Sequence, residues 1–334
     1  MILTHKIYDE LENDIKDTNH RSLSKIYEIH KDVYLVFAID QNEEKRKLYF
    51  PILQDNIAIL PECKGIDSNI VHLYEYSKSS CFCEIAQSDK SDQEVFEIIV
   101  EDIRKKIESV VNAHDILPQV ASILLKWKTF FLQNKEMVLS QERQQGLFGE
   151  LLFLEYLIDS KNVAYIQYWT GADFETHDFY IKDNAFEIKT TTRKEPYKMH
   201  ISSEYQLDAK EVKGNIYVVF FALRKSTVDG ESLPEIIFRL REKCDDNILM
   251  RNKLDEKLEK YGYFDGLEHK YGNKYTVREK KNFRVEREFP QIIVEGLPMG
   301  ISNCTYDVLI DSCVEYEITD EEMRNIVSGG KQYV

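Results

Sequence analysis

The chain has 334 residues, 43% of them hydrophobic and 31% charged, with only 13 glycines and 7 prolines, a globular composition that leaves little room for a disordered tail and points at this length to two or three packed domains. The formal charge of −15 excludes a protein that coats nucleic acid by bulk attraction, but not a local basic surface, because phosphate binding depends on where Lys and Arg sit. No apolar run approaches a membrane span, and the opening MILTHKIYDELENDIKD has no basic start, apolar run or small-residue cleavage site, so a soluble, cytoplasmic protein without membrane contact is expected.

Residues 20–90 read as short strands at 32–40, 47–53, 69–76 and 81–87, separated by polar or Pro/Gly-bearing turns. Six cysteines with no CxxC pair and no His at zinc-ligand spacing support neither a disulfide framework nor a structural zinc site; Cys81 and Cys83 read as small buried or half-buried thiols sharing one strand face. From Ser91 the period becomes helical, with Val95, Ile98, Ile99, Ile103, Ile107 and Val110 at helix intervals over 91–114. ILPQVASILLKWKTFFLQN (116–134) continues the helical character, with Pro118 in a first turn where a missing N–H costs little. A third helix, 140–160, starts at a Ser140 cap and carries Leu147, Leu151, Leu154 and Ile158 as one stripe.

Strands are expected again at 164–170, at 177–182 with 185–190, at 198–202 and at 215–223, the last apolar on both faces and so central in its sheet. Helices near 233–243 and 246–260, a charged hairpin at 271–289, a strand near 304–310 and a short helix from Asp320 complete the chain. These elements define an α/β (α+β) protein with an N-terminal β-rich module (1–90), a helical connector (91–136), a core of mixed sheet and flanking helices (137–245) and an α+β C-terminal region (246–334).

The chemistry concentrates in HDFYIKDNAFEIKTTTR, residues 177–193. A two-residue turn at Asp183-Asn184 pairs 182 with 185, 180 with 187 and 178 with 189. Asp178, Tyr180, Lys182, Ala185, Glu187 and Lys189 then share one face, and Phe179, Ile181, Phe186 and Ile188 the other. The register that buries the four apolar residues gathers Asp178, Glu187 and Lys189. Opposed Cβ atoms about 5 Å apart, and diagonal ones about 7–8 Å apart, bring the two carboxylates within reach of one shared ion. An oxygen-rich pair suits Mg²⁺ or Mn²⁺, with a backbone carbonyl such as that of Ile188 and waters completing the shell. Glu150 is the second signal. Its helical neighbours are Gly146, Leu147, Phe153 and Leu154, an apolar face where a lone carboxylate is costly, so it needs a partner; Gly146 and Gly149 would let a sheet or substrate approach.

A helix with an inward Glu, a strand bearing Asp, a turn and a strand reading Glu-x-Lys resembles the PD-(D/E)XK nuclease superfamily, whose fold is restriction-endonuclease-like. More narrowly, GLFGELLFLEYL…YWTGADFETHDFYI…AFEIKTTT…HISSEYQLD resembles an uncharacterised prokaryotic branch of PD-(D/E)XK motif proteins, over roughly residues 137–225. The resemblance makes 137–245 the nuclease core, Asp178 and Glu187 metal ligands, Lys189 the catalytic lysine and Glu150 the helix-borne acid that completes the site. His177 stands where the motif has proline; the Asp carries the chemistry. The resemblance also implies Ser202, Ser203 and Gln206 as polar groups near a phosphate or the metal's waters, although a capped short helix explains Ser202 equally well.

For the substrate, Arg193, Lys194 and Lys198 follow the catalytic strand closely and would contact a nucleic-acid backbone. The stretch 270–287 has basic residues outnumbering acidic ones by seven to two. A hairpin turning at Lys280-Lys281 would put Arg278 and Arg284 on one phosphate-binding face with Val277, Phe283 and Val285 inward, while a solvated edge strand guarded by charge explains it as well. The reading is a Mg²⁺-dependent endodeoxyribonuclease of a restriction or phage-defence type, acting on DNA, with a homodimer for double-strand cutting and defence-system proteins as further partners. The competing readings are a non-catalytic nucleic-acid-binding or assembly subunit that keeps the fold, and an RNA nuclease.

Overall fold

The computed structural model describes residues 3–16, 22–30, 33–40, 45–52, 60–72, 81–89, 93–133 and 137–328. Expected strand positions 32, 53 and 73–76 and helix positions 91–92 and 134 lie outside them. The chain forms two compact units, Met1–Met137 with Phe264–Gly266 and Val138–Tyr263 with Leu267–Val334.

The first unit begins with α1 (Leu3–Lys16), a helix absent from the sequence expectation, whose Ile7, Tyr8, Leu11 and Ile15 are buried. It continues with β1 (Ser22–His30), β2 (Val33–Asp40), β3 (Lys45–Pro51), β4 (Ile66–His72) and β5 (Cys81–Gln87), which form an antiparallel sheet in the order β1-β2-β3-β5-β4. Then come α2 (Gln93–Ile107) and α3 (Ile116–Gln133). The strand β1, also unexpected, presents a largely exposed face, which is why its alternation is weak. Cys81 and Cys83 are buried free thiols on β5. No helix among the described residues is long and apolar enough to cross a membrane.

The second unit opens with α4 (Gln141–Ser160), whose Ser140 cap accepts the Arg143 N–H. It is followed by β6 (Phe179–Ile181), β7 (Asn184–Thr191), β8 (Lys198–Ile201), β9 (Ile216–Ser226), β10 (Glu231–Ser232), α5 (Leu233–Lys243), α6 (Ile248–Tyr261), β11 (Lys274–Val285), β12 (Tyr306–Leu309), β13 (Glu317–Ile318) and α7 (Asp320–Ser328). The main sheet runs β10-β11-β9-β7-β6, with β13 paired to β11. It is mixed: β7 and β9 are parallel, while β6 and β11 run antiparallel to their neighbours. One face packs on α4, where Phe153 meets Phe179 and Phe186. The other buries Ala185, Val218 and Phe220 against Met199, Ile201 and Val308 of the β8–β12 pair. Both faces are therefore covered, and β9 reads as a continuous apolar run for that reason. The fold is the mixed α+β, helix-flanked architecture expected of a restriction-endonuclease-like core.

Three local expectations are corrected. Residues 164–170 are not a strand: a 3₁₀ segment, Val163–Tyr168, starts where the Asn162 side chain accepts the Ala164 N–H, and Ile166 and Trp169 are buried at an i,i+3 spacing. Residues 271–289 do not fold back at Lys280-Lys281. They supply the single strand β11, which pairs with β9 from Lys274–Ser226 to Val285–Ile216 and absorbs a bulge between Val277 and Glu279. The turn of the β6–β7 hairpin is Lys182-Asp183, not Asp183-Asn184, since Ile181 pairs with Asn184. Asn184 is drawn into the strand because its Oδ1 accepts the Asn215 N–H at 2.9 Å while Ala185 N–H donates to the Asn215 carbonyl, and Lys182 takes the left-handed turn position at φ 58°.

Candidate active site

The corrected register differs from the expected one by two residues, an even number, so every side chain keeps its face. One step beyond the Phe179–Phe186 pair, Asp178 stands opposite Glu187. Asp178 is half-buried and Glu187 only 2% exposed. Asp178 Oδ2 accepts the Ile188 N–H at 2.7 Å, and its carbonyl accepts the N–H groups of Thr170 (2.7 Å) and Gly171 (2.9 Å). The residue is held at both its carboxylate and its backbone.

Glu150 reaches the same place from α4. It is 6% exposed, and its partners are neutral donors: Trp169 Nε1 on Oε2 at 2.7 Å and the Tyr261 hydroxyl on Oε1 at 3.0 Å. A Cβ on Gly171 would overlap Glu150 Oε2 and come within 3.0 Å of Asp178 Oδ1, so both carboxylates flank one point and the glycine leaves it open. Gly149 does for the sheet what Gly171 does for the acids. A Cβ there would collide with Thr190 Cγ2 of β7 and touch Ile188 Cγ2 at 3.4 Å, so the expected close approach at Gly149 is that of β7 to α4.

Lys189 Nζ lies 2.9 Å from Glu187 Oε1 and donates to Gln206 Oε1 at 2.8 Å. Gln206 Oε1 also accepts the N–H and hydroxyl of Ser202, at 3.0 and 3.2 Å, while the Gln206 carbonyl accepts from His177 Nε2 at 3.0 Å. Gln206 thus touches the lysine directly, and Ser202 acts on it at one remove. Ser203 Oγ caps the Tyr205 N–H. Burial, reinforced by the Asp178 charge, pushes the Glu187 carboxyl up to about 8 against the pull of Lys189. Burial raises Asp178 to about 6 against the Ile188 N–H and Lys189, and burial together with the Asp178 charge holds Glu150 well above the usual carboxylate range. Three acids facing one ammonium are short of positive charge.

Arg193, Lys194 and Lys198 are exposed beyond the end of β7 and on β8. On the neighbouring strand β12, the exposed Asp307 bonds His200 Nδ1 at 2.9 Å, and that bond, followed by the charges of Lys198 and Arg193, holds its carboxyl below the usual range. The expected Arg278–Arg284 face does not form. Arg278 sits at the β11 bulge and donates to the Arg193 carbonyl at 3.5 Å. Arg284 pairs with Tyr217 and lies over its ring, 5.9 Å from the centroid. Tyr217 stacks on Phe186, on the α4 side of the sheet, opposite the side of Glu187 and Lys189. Val277, expected inward, is 40% exposed, while Phe283 and Val285 are buried.

Residues outside the expected set complete the site. Trp169 falls in the segment expected as strand, and Tyr261 lies just past the expected end of a helix. Asp173, which follows Trp169-Thr170-Gly171 as a turn residue would, receives Lys257 Nζ at 2.6 Å and Lys260 Nζ at 3.0 Å, and Lys257 also donates to the Trp169 carbonyl. The sequence does hold a signal for Trp169, since a donor-only indole two residues before a glycine and beside the acidic motif suits a buried carboxylate; Lys257 and Tyr261 carry none.

Among the described residues no group of three or more His, Cys, Asp or Glu side chains is arranged to hold a metal ion. What does fit is a two-carboxylate site of the kind Mg²⁺ takes with waters and backbone oxygens: Glu187 Oε2 is buried with no hydrogen-bond partner, beside Asp178. An acid-bearing hairpin at the edge of a mixed sheet, with Glu-x-Lys on its inner strand and a helix-borne Glu above it, is the layout of the PD-(D/E)XK class. A family model described as "Putative PD-(D/E)XK family member (DUF4420)" matches residues 4–311, and the chain belongs to that family. No curated protein and no solved structure gives a match.

Proposed function

We propose that the protein is a divalent-metal-dependent nuclease that hydrolyses phosphodiester bonds in DNA. The observation that carries this reading is the buried Glu187 carboxylate, with one oxygen on Lys189 and the other unsatisfied, set opposite Asp178. Asp178 and Glu187, with the Ile188 carbonyl, would hold Mg²⁺ or Mn²⁺, which when bound acidifies water and neutralises charge on a phosphate oxygen. Lys189, pinned between Glu187 and Gln206, presents its ammonium at a set position, suited to orienting the attacking water and to meeting charge that develops on the phosphate. Glu150 brings a third carboxyl group to the cluster without closing a three-ligand cage. Arg193, Lys194 and Lys198, exposed near the site, suit contacts to the substrate backbone. A restriction or phage-defence setting, and a dimer that cuts both strands, are supported by the resemblance alone.

The test is digestion of plasmid and linear DNA, and of RNA in parallel, with Mg²⁺, Mn²⁺ or EDTA, wild type against Lys189→Ala. Expected are cleavage of DNA only with metal and a loss of about a hundredfold or more in the variant. Metal-independent, identical behaviour of the two proteins would favour a non-catalytic binding subunit, and cleavage confined to RNA an RNA nuclease.

A further inference from the structure

The last turn of α6 is tied to the acid cluster more closely than a scaffold helix requires. Tyr261 is the final residue of α6, with Gly262 closing the helix at φ 105°. Its hydroxyl donates to Glu150 Oε1 and lies 3.5 Å from where a Cβ on Gly146 would stand. Gly146 and Glu150 are one turn apart on α4, so the phenol passes over the bare backbone at Gly146 to reach the carboxylate. Arg143, on the preceding turn of α4, lies over the Tyr261 ring, 5.4 Å from its centroid, and donates to the Tyr261 carbonyl.

The other Glu150 oxygen belongs to the indole of Trp169, whose ring stacks near that of Tyr261 with centroids 6.3 Å apart. One turn before Tyr261 on α6, Lys257 is 4% exposed and binds the Trp169 carbonyl and Asp173 Oδ2. The segment it grips, residues 169–173, is the one whose Thr170 and Gly171 N–H groups hold the Asp178 carbonyl. Two side chains at i and i+4 of one helix therefore reach both acids, one directly and one through backbone.

The choice of donors matters. A tyrosine and a tryptophan satisfy one lone pair on each Glu150 oxygen and stop the carboxylate from rotating away, but bring no positive charge. An Arg or Lys in either place would have neutralised the acid. Neither donor cancels the charge that Glu150 can offer a cation.

We propose that the C-terminal turn of α6 is a positioning device for the acid cluster, in which Tyr261, with Trp169, orients Glu150 toward Asp178, and Lys257 fixes the backbone that carries Asp178. These are positioning residues acting through the acids, and the inference rests on the divalent-metal reading above. The experiment is Mn²⁺ titration of the full EDTA-treated chain, followed by electron paramagnetic resonance, without nucleic acid. Tyr261→Phe should raise the Mn²⁺ dissociation constant about tenfold. In a Glu150→Gln background the same change should have no further effect, since a residue that acts only through Glu150 has nothing left to position. Trp169→Phe reads the second oxygen and should give a loss of similar size. Wild-type affinity in both single variants, or effects of Tyr261→Phe and Glu150→Gln that simply multiply, would overturn the positioning role while leaving the metal site standing. A wild type that takes up no Mn²⁺ would overturn the metal reading and this inference with it.

Discussion

Glu187 is the residue on which the site's electrostatics turn. Its carboxyl is raised from 4.5 to about 8 by burial and by Asp178, so in the absence of metal the folded protein holds a proton that the unfolded chain releases. Between those two values the native state binds more protons, and its stability falls as pH rises. Glu187→Gln removes this penalty. In EDTA, urea unfolding should show the variant more stable than wild type at pH 8 by an amount on the order of a few kcal/mol, with the gap nearly closed at pH 4.5. A gap of equal size at both pH values would mean that Glu187 is not the titrating group. Asp178, Glu187 and Lys189 are legible in the sequence because period-two alternation puts them on one face, and Glu150 because a carboxylate stands among leucines and phenylalanines. Tyr261 and Lys257 are not, since both are ordinary residues on an amphipathic helix far along the chain from the acids they serve, Tyr261 lying 111 positions from Glu150.

Among elements, the α4–β7 contact does most to set the site, because it fixes the helix that carries Glu150 against the strand that carries Glu187. Gly149 makes the contact close. Gly149→Ala would drive a methyl into Thr190 Cγ2, a stiff β-branched group, and the gain in helix propensity of about 1 kcal/mol would not offset overpacking of about 1–3 kcal/mol. Net destabilisation is expected in urea unfolding, with Thr190→Ser restoring stability in the double variant because the serine keeps the hydroxyl that accepts from Gln145 and lacks the colliding methyl. Helix α4 is readable from its Ser140 cap and 3.6-residue spacing. The hairpin turn is less so: Asp183-Asn184 is a good turn pair by itself, and only the bonds from Asn184 and Ala185 to Asn215 draw Asn184 into the strand and move the turn forward. The charges of β11 suggest a bend, when they reflect a strand with β9 along one edge and only short β10 and β13 along the other.

For the whole molecule, the charge of −15 and the separation of Arg278 from Arg284 argue against a grip on a polyanion through one broad basic face. With contacts limited to Arg193, Lys194 and Lys198, the slope of log K against log salt for duplex DNA should be about −3 or shallower, measured by fluorescence anisotropy with the Lys189→Ala protein. A slope steeper than about −6 would reveal a second basic surface. Residue order alone carries the mixed α+β class, the membership of the hairpin faces and the four charged residues of the cluster, because alternation, caps and a carboxylate on an apolar face are consequences of local geometry. Folding in three dimensions adds which oxygen each donor satisfies, that Gln206 meets Lys189, that α6 reaches Glu150 and that Arg284 lies on the wrong side of the sheet. Those facts depend on strand order and on the approach of distant segments through space, and no spacing along the chain encodes them.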